Sequence, residues 1–265
     1  MNERILIQLE GHVAHVRLNR PDKRNGLDLP MFEGLIAAGL RVGQDPSVRA
    51  VVLSGEGKAF CAGLDWAAFL AMGSEAMDRM LGRDGSLANM AQRVAWVWQE
   101  VPAPVIAAIH GAALGGGLQI ALGADIRYAT ADAQLSAMEV RYGLVPDMSI
   151  SQTLLRCVRS DVARELVFTG RMVSGEEAQR IGLVTRVCGD PVAEALGLAA
   201  EIATRSPEAV RAAKRLLSES PRMDVASSFR LETELQLGLL GTPNQLEAVQ
   251  AVMTRRAPVF RDPSH

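Results

Sequence analysis

Two glycine-bearing turns carry the residues best suited to chemistry. In "GAALGGGLQIALGADIRY", Gly111 to Tyr128, the run Gly115-Gly116-Gly117 stands just before an apolar helical stretch. The first N–H groups of a helix have no internal partner, and that end carries partial positive charge. With no side chains there, a ligand oxygen can approach the backbone closely, which suits an anion or an oxygen gaining negative charge. No Gly-Lys-Ser/Thr follows, so this is not a Walker phosphate loop. Ile120 occupies the place of the third glycine in a dinucleotide-binding turn, which excludes that motif too. A second turn, "GKAFCAGLDW", Gly57 to Trp66, also ends a strand and opens a helix, and its small residues Ala62 and Gly63 would expose the Leu64 N–H. Two backbone donors, one from each strand-to-helix turn, would form an oxyanion hole, where losing one donor typically costs about 3–4 kcal/mol of transition-state stabilisation. The plainer reading of the triplet is a close helix–strand contact that tolerates only small residues.

The elements that must hold these turns follow from periodicity. Alternating apolar residues predict strands at "ILIQLE" and "VAHVRLN", with Glu10-Gly11 as the turn between them. "RPDKRNGLD" reads as a loop, and residues 31–42 as a helix ending near Gly43. "AVVLSGEG" and the near-continuous apolar "PVIAAIHG" read as buried strands. A short helix follows "CAGLD", and residues 74–101 read as one long helix with a break near Gly82–Gly85. A helix over residues 116–124 precedes strands at "DIRYAT" and "QLSAM". Helices over 148–158, 161–169 and 174–181 lead to a strand at "LVTRVC". From Pro191 the chain reads as helical, broken at Ser206-Pro207, Ser220-Pro221 and Thr242-Pro243. Alternating strands and helices indicate an α/β class. The division expected is a core over residues 1–200 and a helical region over 201–265 that packs on the core or on another chain.

Composition narrows the partners. The chain has 265 residues, enough for one large domain. With 28 basic against 30 acidic residues, neither nucleic acid nor an anionic membrane is an expected partner. No apolar run approaches the roughly 20 residues of a membrane span, and "MNERILIQLE" lacks the apolar core of a secretion signal. Cys61, Cys157 and Cys188 are odd in number and scattered, which fits a reducing cytoplasm. His12, His15, His110 and His265 offer no pair at metal-ligand helical spacing, so no metal is expected.

Taken in order, "AFCAGLDW", "PVIAAIHGAALGGGLQIALGADIRYA" and "EVRYGLVPD" resemble the signature segments of the crotonase superfamily, the enoyl-CoA hydratase/isomerase group. The resemblance runs from the "RLNRPDKRNGLD" loop through "LVFTGRMVSGEEAQRIGLVTRV" to the helical tail. It implies a spiral of ββα units with a C-terminal helical region, assembled as a homotrimer or a pair of trimers. It implies an acyl-CoA thioester as substrate and no cofactor beyond the coenzyme A that the substrate carries. The oxyanion-hole positions match Leu64 and Gly116. Arg24, Ala62 and Gly63 match positions lining the adenine end of coenzyme A. Arg255 stands near a tail position that reaches a neighbouring subunit's coenzyme A in some members.

The same resemblance frames the acids. The typical hydratase of the group holds a water between two glutamates, and the matching positions here are Gln119 and Glu139. Glu139 can do acid/base work if its surroundings move its pKa toward neutrality. Gln119 cannot exchange a proton and only donates or accepts a hydrogen bond, so it is expected as a pocket-facing polar residue. Asp147, eight residues after Glu139, matches an aspartate of the dienoyl-CoA isomerases, which the run from Asp125 to Asp147 resembles. That subgroup uses the Glu/Asp pair to move a proton along a conjugated acyl chain. The favoured reading is therefore double-bond isomerisation with Glu139 and Asp147 as catalytic residues. The alternatives are a hydratase in which Glu139 acts with a water held by Gln119, and a non-catalytic acyl-CoA- or RNA-binding relative. Plainer roles are also open: Asp147 as a helix N-cap, Glu139 paired with Arg141, His110 as a hydrogen-bonded core residue, and Trp96 and Trp98 as core packing.

Overall fold

The computed structural model describes residues 4–82 and 85–263. Strands β1 (Ile5–Glu10) and β2 (Val13–Leu18) form the expected hairpin. Helix α1 (Leu29–Gln44) is capped by Asp28, whose carboxylate accepts from the Met31 N–H and is clasped by Arg4. Next come β3 (Ala50–Gly55), α2 (Trp66–Ala71), α3 (Ser74–Leu81) and α4 (Met90–Glu100). Strands β4 (Val105–Ile109) and β5 (Ala112–Leu114) lead into α5 (Gly116–Gly123). Strands β6 (Ile126–Ala129) and β7 (Gln134–Ser136) are followed by a 3-10 turn at Glu139–Tyr142, α6 (Ile150–Thr153) and α7 (Ser160–Thr169). The chain continues through β8 (Val173–Ser174), α8 (Gly175–Arg180), β9 (Arg186–Val187) and four helices: α9 (Pro191–Ala203), α10 (Pro207–Glu219), α11 (Val225–Leu239) and α12 (Pro243–Thr254).

Two sheets organise these elements. The larger has the order β1-β2-β3-β4-β6-β9, parallel from β2 onward. The smaller has the order β5-β7-β8. Successive turns repeat one step: a strand in the large sheet, a short extended segment in the small one, then a helix. The pairs β4–β5 and β6–β7 do this fully. The segment after β3 does so through a single bridge, Cys61 to Ala113. This is the expected spiral of ββα units.

Both faces of the large sheet are covered, which explains why its inner strands read as unbroken apolar runs. Val51, Leu53, Val105, Ala107 and Ile109 pack with residues of α1, α4 and α5 such as Leu35, Trp98 and Leu122. Ala50, Val52, Ile106 and Ala108 face the other way, onto Ala195 and Ala199 of α9. Residue 200, where the sequence divides on composition, falls inside α9. Helix α10 is pinned by Lys214, whose ammonium donates to the Trp98 and Ala103 carbonyls and pairs with Asp125 at 2.8 Å. Helices α11 and α12 bury few of their residues. No helix among the described residues is long and apolar enough to cross a membrane.

Several elements differ from expectation. The long helix over 74–101 is two helices, α3 and α4, and Gly82 closes α3 with its N–H on the Asp78 carbonyl. Of the expected break, Arg83 and Asp84 lie outside the described residues, as does His265. The helix over 148–158 shrinks to the four residues of α6 and a 3-10 turn at Leu154–Arg156. Its start is delayed because Ser149 is left-handed, with φ 65° and its hydroxyl on the Gln92 carbonyl. Strands β5 and β8 have only three and two residues, too short to show period-two alternation.

Candidate active site

The two glycine turns meet because the small sheet brings them together. Cys61 bridges Ala113: its N–H donates to the Ala112 carbonyl, and its own carbonyl accepts from Leu114. The Cys61 thiol is buried, donates to the Asn25 carbonyl and is pushed up to about 12 by burial, so it is a packing group. Asn25 holds the same turn from beneath, with its amide on the carbonyls of Glu56, Ala59 and Phe60.

Each glycine has its own steric reason. A Cβ on Gly117 would lie 2.2 Å from the Cys61 carbonyl oxygen, so the close helix–strand contact is real at that position. Gly115 has φ 52° and ψ −120°, a conformation that favours glycine, and a Cβ there would crowd Glu139 Oε1 at 3.2 Å. Gly63 has φ 86°, and a Cβ there would meet the Leu114 carbonyl at 2.6 Å and the Gly116 nitrogen at 3.8 Å. The Ala62–Leu64 turn therefore lies directly against the start of α5.

The two amides of interest have no internal acceptor. Leu27 bonds to both neighbours of Leu64, giving its N–H to the Gly63 carbonyl and accepting from the Asp65 N–H. That parallel bridge turns the Leu64 N–H to the opposite side. Gly116 is the first residue of α5, where a helix leaves its N–H unpaired. Among the described residues neither N–H donates to a protein acceptor.

Both turns open onto a cavity of about 350 Å³. Its walls include Ala62, Gly63, Leu64, Gly116, Glu139 and Asp147, so six of the singled-out residues converge on one space. The rest of the lining is apolar or aromatic. Trp66 and Phe69 of α2 pack edge to face, and Trp66 stacks at a tilt on Tyr142, 4.7 Å between ring centres. Met77, Met80 and Leu81 of α3 complete that wall. These residues were missed in the sequence; the signal was the apolar, aromatic content of two short helices directly after the Leu64 turn. Trp98 is instead fully buried in the core, and Trp96 lies under the Arg222 guanidinium.

Glu139 sits on the 3-10 turn after β7 and Asp147 on the loop before α6. Glu139 Oε1 accepts a 2.6 Å hydrogen bond from Gln119 Nε2, while its Oε2 is buried without a protein partner. Burial raises the Glu139 pKa first, the Gln119 hydrogen bond opposes that, and the charge of Asp147 raises it further. Asp147 stands at the rim, exposed along one side, and desolvation by the surrounding protein raises its pKa as well. It is not a helix N-cap: α6 begins at Ile150, and the Asp147 carboxylate meets no donor side chain among the described residues. Nor does Glu139 pair with Arg141; its partner is Gln119.

Other expected positions fall elsewhere. Gln119 does not face the pocket: it is 0% exposed and lies behind Glu139, because α5 is buried on every side. Its Oε1 accepts from the Met148 N–H at 2.8 Å. Arg24 is exposed and left-handed, and touches the site through its carbonyl, which accepts from the Ala62 N–H. Arg255 ends α12 in a left-handed conformation and does not line the cavity. His110 is partly exposed rather than core, and its Nε2 contacts the Gly57 carbonyl.

Comparison with known proteins bears on this geometry. A family model described as enoyl-CoA hydratase/isomerase matches residues 8–263. A mouse protein named Delta(3,5)-Delta(2,4)-dienoyl-CoA isomerase, mitochondrial, is 36% identical over 257 residues, covering 92% of this chain and 77% of its own. The enoyl-CoA hydratase EchA19 of Mycobacterium tuberculosis is 32% identical over 259 residues, covering 97% of this chain and 96% of its own. Among solved structures, an enoyl-CoA hydratase from Bacillus anthracis superposes with a TM-score of 0.91 at 32% identity, covering 98% of this chain and 100% of that one.

Proposed function

Since the chain belongs to the enoyl-CoA hydratase/isomerase family and is an acyl-CoA-processing enzyme, we propose that it shifts a double bond in the acyl group of a thioester. The observation that carries this reading is that Glu139 and Asp147 line one largely apolar cavity, close enough for the Asp147 charge to act on Glu139, with both pKa values raised. In the proposed reaction the thioester oxygen accepts hydrogen bonds from the Leu64 and Gly116 amides, which stabilises the enolate and acidifies the adjacent carbon. One carboxylate removes a proton from that carbon. The electron pair delocalises along the diene, and the other carboxylate returns a proton at its far end, so the product is an isomer. Raised pKa values suit both tasks, because each group can hold or release a proton nearer neutral pH.

The remaining assignments rest on position. Arg24, Ala62 and Gly63 are proposed to meet coenzyme A, and Arg255 to reach that of a neighbouring copy. No cofactor is invoked beyond the coenzyme A of the substrate. The exposed apolar residues of α11 and α12, Phe229, Leu237, Val252 and Met253 among them, support residues 201–265 as the packing region of a homotrimer or hexamer. Three free cysteines support a reducing compartment such as the cytoplasm.

Relatives named as hydratases keep hydration as the second reading. In that reading Asp147 rather than Gln119 would share the water with Glu139, since the Gln119 amide lies behind the cavity wall. The test is to supply a 3,5-dienoyl-CoA and a short 2-enoyl-CoA separately and follow the absorbance of each. Conversion of the diene supports isomerisation. Hydration of the enoyl thioester with an unchanged diene reverses the ranking. Binding of both without turnover would leave only a ligand-binding role.

A further inference from the structure

Gln119 is buried and has no access to the cavity, yet both ends of its amide are engaged by the two segments that carry the carboxylates. Nε2 donates to Glu139 Oε1 at 2.6 Å. Oε1 accepts at 2.8 Å from the N–H of Met148, the residue directly after Asp147. The orientation of the amide follows from these partners. A backbone N–H needs an acceptor and a carboxylate needs a donor, and turning the amide over would replace both hydrogen bonds with repulsive contacts. Gln119 is itself fixed on α5, where its N–H donates to the Gly115 carbonyl.

We infer that Gln119 is a positioning residue whose single amide holds the Glu139 carboxylate at its donor end and the Asp147 loop at its acceptor end, fixing the geometry between the two proton carriers. The inference rests on the proposed roles of Glu139 and Asp147. It gives a reason for an amide at this position. A glutamate at 119 could still accept from Met148, but it would have to stay protonated to donate to Glu139. The two carboxylates would then share a proton, as close carboxylate pairs do. The amide donates without titrating, so the proton that Glu139 carries is not shared with the group behind it. From α5 the neighbour of Glu139 is this neutral amide. Among the cavity-lining residues of the other segments, only Asp147 and Tyr142 carry ionisable groups besides Glu139 itself, and the Asp147 charge raises the Glu139 pKa.

The test reads the Glu139 pKa directly, by carbon NMR of protein labelled at glutamate carboxyls, with Glu139→Gln identifying the resonance. Gln119→Leu removes the donor, and Gln119→Glu replaces it with a second carboxyl while keeping an acceptor for Met148. Each variant is expected to move the Glu139 titration up by about one pH unit or more. In both, kcat for the diene should fall at least about tenfold while KM changes by less than about threefold, because the thioester grip at Leu64 and Gly116 is untouched. A buried residue with only a packing role would lower the melting midpoint and leave the titration in place. An unmoved Glu139 titration in both variants overturns the inference while leaving the proposed reaction standing. Full activity in Glu139→Gln overturns the proposed reaction, and this inference with it.

Discussion

At the scale of residues, the proposed reaction rests on two carboxylates whose protonated forms are favoured by their surroundings. Glu139 and Asp147 both have raised pKa values, so the folded chain holds their protons more tightly than the unfolded chain does. Their contribution to stability is complete below the unfolded carboxylate range and is lost as pH rises through the raised folded values. Glu139→Gln, which keeps Oε1 as the acceptor for Gln119, is therefore expected to raise the melting midpoint near neutral pH. A shift of about 2–4 °C is the response of a chain this long to about 1 kcal/mol. The gain should vanish near about pH 4, where the native carboxyl is already protonated; a gain equal at both pH values would contradict the charge argument. Asp147→Asn should lower the isomerisation rate more than about tenfold, and an unchanged rate would remove Asp147 from the reaction. Cys61, with its thiol pushed up to about 12, is expected to resist alkylation in the native protein at about pH 8, read by mass spectrometry of labelled peptides.

At the scale of elements, α5 and the turn after β3 must touch, and glycine makes that contact possible. Gly117→Ala would drive a methyl into the Cys61 carbonyl, a backbone atom that cannot step aside. A loss of about 1–3 kcal/mol is expected, measured by denaturant melts. Gly197→Ala is the matched control: its Cβ would enter open space within α9, and a gain of about 0.5–1 kcal/mol is expected. Equal effects of the two changes would contradict the packing account. The donor turns were legible in the sequence because their signal is local: glycines and small residues between an apolar strand and an apolar helix. The pocket wall of Trp66, Phe69 and Tyr142 was not, since it joins α2 to a turn more than 70 residues later through the smaller sheet. Gln119 was legible as a departure from a carboxylate pair, but its direction was not. Only the burial of α5 on all sides and the Met148 N–H decide that it points behind Glu139. Asp147 resembled a cap in sequence because the left-handed Ser149, which delays α6, leaves no mark in residue type.

At the scale of the whole molecule, the core is well buried while α11 and α12 leave much of their apolar surface open. Val252 and Met253 are each 79% exposed, and Phe229 and Leu237 are also open to solvent. In the proposed oligomer another copy covers these apolar side chains, which lie on two consecutive helices. Light scattering after gel filtration is expected to give three or six times the chain mass of 28.4 kDa. A monomeric mass at micromolar concentration would contradict the oligomer and leave Arg255 without the neighbouring site proposed for it.

The proposed chemistry requires that the substrate oxygen sit between two main-chain amides supplied by different turns of the spiral. The most direct test is a crystal structure with a non-reactive acyl-CoA thioester analogue. The account expects the thioester oxygen at about 2.7–3.1 Å from the nitrogens of both Leu64 and Gly116, with the acyl chain running past Glu139 and Asp147. An oxygen bound away from either amide, or an acyl chain lying outside the cavity, would contradict it.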